Sequence, residues 1–177
     1  RRTLNVFAYS GGFSLYAAAG GAPSVLSLDL SAPALAAAVR NFELNQHLPL
    51  VAAAAHTVLA ADAFDALAAL RQRGQRFDLV IVDPPALAKQ EREVSGALQA
   101  YRRLTHLALG VLAPAGTLMM ASCSSRVSAL DFYATVEQAA VEAGRPLQIF
   151  ARSGHAADHP IGFAAGAYLK AFFASVR

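Results

Sequence analysis

The chain holds 177 residues, 55% of them hydrophobic and 15% charged, with a formal net charge of +3. That length suits one domain with a full core rather than two, and the apolar excess excludes a disordered chain. A single cysteine excludes a disulfide framework or an all-cysteine metal site and suits a reducing cytoplasm, and no apolar run reaches the roughly 18 residues that span a bilayer. The opening RRTLNVFAYS has no signal-peptide pattern and enters a strand almost at once, as expected of a domain from a longer protein.

TLNVFA (3–8) predicts a buried strand, and YSGG leads from it into an alanine-rich helix starting near Phe13. SVLSLD (24–29) is a second strand. Ser31, Pro33 and the apolar spacing after them predict a capped helix through Asn45. HTVLAAD (56–62) forms a third strand, followed by a helix to about Arg73 and a stop at Gly74. FDLVIVD (77–83) is the most continuous apolar strand, broken by Pro84 and Pro85. A helix over 95–112 exits through APAG into a fifth strand, TLMMASC (117–123). ALDFYATVEQAAVEAG is the next helix, and PLQIFARS and AYLKAFFASV close the chain as two strands with no helix between them. This alternation predicts an α/β fold: a Rossmann-like, mostly parallel seven-stranded sheet with one antiparallel strand and helices on both faces.

In open sheets of this type, ligands bind beyond the carboxyl ends of the strands. At the first of these ends, Gly11 and Gly12 let the backbone turn sharply and approach a ligand without an intervening Cβ. A dinucleotide site calls for G-x-G-x-x-G, but here the next glycine, Gly20, is a helix away. That disfavours a pyrophosphate, and with it a nicotinamide oxidoreductase, and leaves room for a cofactor without phosphates. Asp29 ends the second strand, where a carboxylate can accept both hydroxyls of a ribose or, alternatively, cap the next helix. Asp62 ends the third, where it can accept from an adenine amino group or cap the helix over 63–73. A glycine turn and two acids on adjacent strand ends point to an adenosine-containing cofactor.

After the fourth strand, VDPPALAK makes a rigid turn that can hold a planar ring while Asp83 accepts from its polar edge or protonates it. Cys123 ends the fifth strand, flanked by Ser122, Ser124 and Ser125, with Arg126 near enough to favour a thiolate. A buried apolar filler is the competing reading of that cysteine. The histidines form no metal pattern: His159 can reach the pocket rim, while His47, His56 and His106 read as surface or structural residues. Acids at strand ends, with bases in LAKQEREVSGALQAYRR and at Arg126, suggest a pocket with a cationic rim, or else scattered solvated charge.

Taken in order, LNVFAYSGGFSLYAAAGGA, LDLSAPALAAAVRNFELN, FDLVIVDPPALAK and GTLMMASCS resemble class I S-adenosylmethionine-dependent methyltransferases. More narrowly they resemble the bacterial 23S rRNA cytosine-5 methyltransferases that carry an N-terminal PUA domain, with ADHP and AYLKAF extending the match to nearly the whole chain. The resemblance implies S-adenosyl-L-methionine as cofactor and RNA, specifically 23S rRNA, as partner, with no metal and no membrane. It implies that Phe7, Tyr9, Ser10, Gly11, Gly12 and Phe13 wrap the methionine part of the cofactor. Asp29 and Leu30 would meet its ribose, Asp62 and Ala63 its adenine, and Asp83 and Pro84 would lie between cofactor and target base. The family's nucleophilic cysteine maps onto Cys123, assisted by Asp83, and Pro85, Lys89, Ser124 and Arg126 become substrate contacts. The chemistry calls for such a thiol, because carbon 5 of cytosine is a poor nucleophile until a thiolate adds at carbon 6.

Three departures from the family stand out. The PUA domain is absent from the chain, which removes much of the implied RNA grip. GFAAGAYLK lacks the proline and acid expected before Tyr-Leu-Lys. No cysteine stands beside Pro84 and Pro85, unlike in DNA cytosine methyltransferases or RNA enzymes with a second cysteine. Two alternatives to the leading expectation are a methyltransferase acting on a nitrogen or a small molecule with Cys123 structural, and a domain that binds RNA or adenosylmethionine without turnover.

Overall fold

The computed structural model describes residues 1–163 and 166–176. Its elements run β1 (Arg2–Val6), α1 (Gly12–Ala19), β2 (Ser24–Asp29), α2 (Ala32–Leu44), α3 (Pro49–Ala53), β3 (Ala55–Ala60), α4 (Ala63–Gln72), β4 (Phe77–Val82), α5 (Val94–Val111), β5 (Leu112–Ser122), α6 (Ala129–Glu142), β6 (Leu147–Ser153) and β7 (Lys170–Val176). The strands form one sheet in the order β3-β2-β1-β4-β5-β7-β6. Every pairing is parallel except those of β7, which is antiparallel to both β5 and β6. β6 therefore runs with the rest and one strand is reversed, as the closing hairpin predicts. Strand order reverses between β1 and β4, and that switch point opens the crevice where such sheets bind ligands.

Side-chain alternation divides the core in two. On one face Leu4, Val6, Leu28, Val80, Val82, Leu118 and Met120 pack with residues of α4, α5 and α6. Full burial of a leucine or valine of this kind is worth roughly 1.5–3 kcal/mol. Residues of opposite parity face α1–α3: Val25 joins Ala18, Phe42 and Val51 in a second cluster. Beneath α1 runs a buried polar chain, Asn5 Nδ2 to Ser14 Oγ at 2.9 Å, Ser14 Oγ to Ser27 Oγ at 2.7 Å, and Ser27 Oγ to His56 Nε2 at 2.9 Å. His56 also stacks on Phe42 at 3.7 Å, which is the structural role expected for it.

Several element limits differ from expectation. β1 stops at Val6 because Phe7 turns to φ 61°, outside any extended region. β3 stops at Ala60, which leaves Asp62 beyond the strand as the cap of α4. The segment APAG is not a helix exit but the start of β5, which shifts register against β4 between Phe77 and Leu79 and puts Ala115 at φ 55°. The short helix α3, with Pro49 in its first turn, is not apparent in the apolar run LPLVAAAA. In the closing segment GFAAGAYLK, Ala164 and Ala165 lie outside the described residues.

Candidate active site

The carboxyl ends of β1, β2, β4 and β5 and the turn after β3 converge on a pocket of about 570 Å³ lined by Phe7, Tyr9, Asp29, Leu30, Asp62, Ala63, Asp83, Pro84, Pro85, Cys123 and Leu169. An adjoining hollow of about 350 Å³ shares Phe7, Tyr9 and Asp83 and adds Ser10, Gly12, Phe13 and Tyr16. The expected cofactor residues therefore assemble around one cleft, with Gly11 beneath it rather than in it. Its φ is +79° and a Cβ there would lie 2.7 Å from the Ala38 Cβ, so this glycine serves the packing of the turn on α2. Gly12 has open space where a Cβ would stand. The strain in the turn is carried instead by two larger residues, Phe7 at φ 61° and Tyr9 at φ 48°. Nothing in the sequence marks them for that conformation.

Asp29 holds this strained loop. One carboxylate oxygen accepts the Tyr9 amide at 2.8 Å and the other accepts the Ser31 amide at 2.8 Å. A carboxylate has about four lone-pair sites, so two remain for the vicinal hydroxyls of a ribose. Asp62 caps α4, one of the two roles weighed for it, and it lines the cleft where the other would be played. Its Oδ1 accepts the Phe64 and Asp65 amides at 2.9 and 3.2 Å, capping α4, while the residue also lines the pocket. The carboxylate acceptors and the cleft volume fit an adenosine-containing cofactor.

At the other end of the pocket the DPP turn meets Cys123. The thiol points at the Pro84 carbonyl, 3.7 Å away, a weak S–H donor contact. A buried relay sets that spacing. The Tyr101 hydroxyl, from α5, donates to Ser122 Oγ at 2.8 Å and lies 3.2 Å from Ser124 Oγ. Ser124 Oγ in turn accepts the Leu87 and Ala88 amides at 2.9 and 3.2 Å. The segment after β5 is thus pinned to the segment after β4. Ser124 is fully buried with its hydroxyl engaged, so the substrate contact expected of it gives way to this internal role.

Charge in the pocket also departs from expectation. Arg126 is exposed and lies outside the lining, as does Lys89, whose amide donates to Glu93 in the 3-10 turn over Glu91–Glu93 before α5. Arg102 pairs with Glu142 at 2.6 Å and Arg103 lies over the Phe64 ring at 4.5 Å. The charged residues of the lining are three aspartates, and the cationic rim is not part of it. The cation that acts on Cys123 is Lys170, which the sequence reading quoted within AYLKAF without giving it a site role. Burial and then the Asp83 carboxylate push the thiol up from its ordinary value, and a backbone hydrogen bond and Lys170 only partly oppose them. These surroundings favour the thiol, against the thiolate that Arg126 was expected to favour. Burial likewise raises the Asp83 carboxyl. His159 does not line the pocket. It stacks at 4.5 Å on His155, whose Nε2 accepts the amide of the pocket residue Leu169 at 3.1 Å.

Among the described residues no group of three or more His, Cys, Asp or Glu could hold a metal ion. No helix among them is long and apolar enough to cross a membrane. A separate hollow of about 530 Å³ between α5 and α6, lined by Glu91, Leu98, Arg102 and Gln138 among others, lies away from the strand ends.

Comparison with known proteins agrees with this geometry. The chain is 50% identical over 173 residues to a ribosomal RNA large subunit methyltransferase of Deinococcus radiodurans, covering 98% of this chain and 41% of that protein. It is 40% identical over 178 residues to ribosomal RNA large subunit methyltransferase I of Vibrio vulnificus, covering 99% and 44%. The chain thus spans less than half the length of these curated relatives. Among solved structures, SMU.776 in complex with SAH superposes with a TM-score of 0.85 at 26% identity, covering 99% of this chain and 45% of that one. An S-adenosylmethionine-dependent methyltransferase from Agrobacterium tumefaciens shares the fold, with a TM-score of 0.69 at 22% identity and coverage of 99% and 55%. The family profile described as S-adenosylmethionine-dependent methyltransferase matches residues 1–173. With its strand-end acids, its strained glycine turn and that match, the chain belongs to the S-adenosylmethionine-dependent methyltransferase family.

Proposed function

We propose that residues 1–177 form the catalytic domain of a methyltransferase acting on large-subunit ribosomal RNA in the cytoplasm, and that it makes 5-methylcytosine in 23S rRNA through Cys123. The observation that carries this reading is the shared pocket of Cys123, Asp83, Pro84 and Pro85 with the two acids suited to an adenosine. Both curated relatives described above are named as methyltransferases of large-subunit rRNA, which supports the substrate class.

In this reading Asp29 holds the cofactor's ribose, Asp62 its adenine amino group, and the loop of Phe7, Tyr9, Ser10, Gly12 and Phe13 its methionine end. When bound, the cofactor supplies an electrophilic methyl group on a sulfonium. Pro84 and Pro85 form a stiff wall for the target cytosine. Asp83, which burial biases toward its protonated form, donates to nitrogen 3 and draws electron density from the ring. Cys123 gives up its proton to water and its sulfur bonds to carbon 6, which moves the ring's electron pair onto carbon 5, the atom that would accept the methyl group. Loss of the carbon 5 proton to water and cleavage of the carbon 6–sulfur bond return the thiolate. Lys89 and Arg126, both exposed, would meet RNA phosphates in this reading.

The test is methyl transfer to 23S rRNA by Cys123→Ala. Activity should vanish while calorimetry still shows binding of S-adenosylhomocysteine, and 5-fluorocytosine RNA should trap a covalent adduct with the wild-type protein only. Retained methylation in Cys123→Ala overturns the reading. A methyltransferase for a nitrogen or a small molecule, with Cys123 structural, is favoured by one observation, the contact of the Cys123 sulfur with the Pro84 carbonyl. Bisulfite sequencing of 23S rRNA from a deletion strain separates the two.

A further inference from the structure

Lys170 is 6% exposed, and no carboxylate pairs with it among the described salt bridges. It opens β7 directly opposite Ser122, the last residue of β5. Its Nζ donates to three carbonyls: Ser124 at 2.6 Å, Val127 at 2.5 Å and Tyr168 at 3.2 Å. Two of these belong to the turn that carries Cys123, and the third precedes the pocket residue Leu169.

We propose that Lys170 is a positioning residue for Cys123: a buried ammonium that anchors the turn bearing the thiol and serves as the counter-ion of the thiolate. This rests on the reading of Cys123 as the attacking nucleophile. Three carbonyl acceptors require three N–H donors. A neutral amine has two, and its lone pair would face a carbonyl oxygen, so the geometry selects the ammonium. A buried cation with no carboxylate is costly. Its cost falls when Cys123 ionises, because the neighbourhood then gains the missing negative charge. The coupling runs both ways: burial pulls Lys170 down while the Cys123 charge pulls it up, and Lys170 in turn favours the thiolate. The compact head of lysine reaches all three carbonyls from a single nitrogen. Through Tyr168 the same ammonium ties the closing segment of the chain to the nucleophile turn.

Cys123 is the only cysteine, so the pH dependence of its alkylation by iodoacetamide reads the thiol directly. In Lys170→Met the alkylation midpoint should move up by about one pH unit, slowing alkylation about tenfold below the midpoint. Lys170→Arg should keep the midpoint near that of the wild type, and both variants should still bind S-adenosylhomocysteine. As a reciprocal measurement that does not depend on Lys170→Met folding, the Lys170 Nζ resonance is titrated by NMR in wild type and in Cys123→Ala. Its pKa should fall when the thiol is removed. An unmoved thiol midpoint in folded Lys170→Met, or a Lys170 titration indifferent to Cys123→Ala, overturns the inference. Neither measurement uses methyl transfer, so a failure here is distinct from a failure of the proposed cytosine chemistry, which Cys123→Ala activity decides.

Discussion

At its closed end β5 is held by Arg145, whose guanidinium donates to the carbonyls of Leu109, Leu112 and Ala113. At its pocket end the turn that follows is held by Lys170, whose ammonium donates to the carbonyls of Ser124, Val127 and Tyr168. Both clamps gather main-chain oxygens where a regular element gives way to the next. Their surroundings differ. The charged group acting on Arg145 is another cation, Arg76, so the closed end has nothing to exchange protons with. Lys170 faces a titratable thiol and, beyond it, a buried carboxyl. The same device contributes stability alone at one end and links stability to chemistry at the other.

Substitutions at the two ends should therefore separate. The largest effect is expected from Asp83→Asn, which keeps the shape of the DPP turn but removes its exchangeable proton. Methyl transfer should fall by about 10²–10⁴-fold. Alkylation of Cys123 should move to lower pH, because a charge that opposes the thiolate is gone. The same variant tests a stability effect. Burial raises the folded-state pKa of Asp83, so the folded chain holds a proton that the unfolded chain has released. Wild-type stability should fall as pH rises from the ordinary carboxylate value through the raised one, and remain reduced above it. In Asp83→Asn that part of the pH dependence disappears, measured by denaturant melts across the acid range.

Arg145→Met should break the closed end only. Loss of charged hydrogen bonds to three carbonyls should cost about 2–3 kcal/mol in urea unfolding, with the alkylation profile of Cys123 unmoved. A moved profile would mean the two ends are coupled through β5. Ser124→Ala is expected to cost about 2 kcal/mol, since the Leu87 and Ala88 amides lose their acceptor. Hydrogen exchange at those two amides should accelerate, which checks the pinning of the DPP segment. The smallest effect is expected from Ala115→Gly. Relief of φ 55° at the closed end should stabilise the chain by about 0.5 kcal/mol, read as a modest rise in Tm with unchanged activity.

Most of the sheet was legible because its signals are local. β2 begins and ends where its apolar run does, and Ser31 and Gly74 mark a helix start and a helix stop as predicted. The strand-end acids were legible for the same reason, since the fold type alone assigns strand ends to the ligand side. The irregular backbone was not. Phe7, Tyr9 and Ala115 adopt positive φ against their own preference, and only surrounding contacts hold them there. Ser124 reads as a polar residue beside a candidate nucleophile, and nothing nearby in the chain shows that its partners are amides 36 and 37 positions away. Arg126 was assigned to the thiol by proximity in sequence, the wrong measure once a turn points it outward.

By itself the sequence determined the α/β architecture, the reversed closing strand, the crevice and the identities of the acids and the cysteine within it. Periodicity, turn residues and strand ends are properties of a few adjacent residues, and they survive without knowledge of the rest. Tertiary structure alone decided the surroundings of Cys123. Cys123 is set by the Pro84 carbonyl, by burial beside Asp83 and by an ammonium 47 positions later, brought opposite Ser122 by the antiparallel pairing of β5 with β7. Electrostatic interaction depends on distance through space and on the dielectric between charges, and neither quantity exists until the chain has folded.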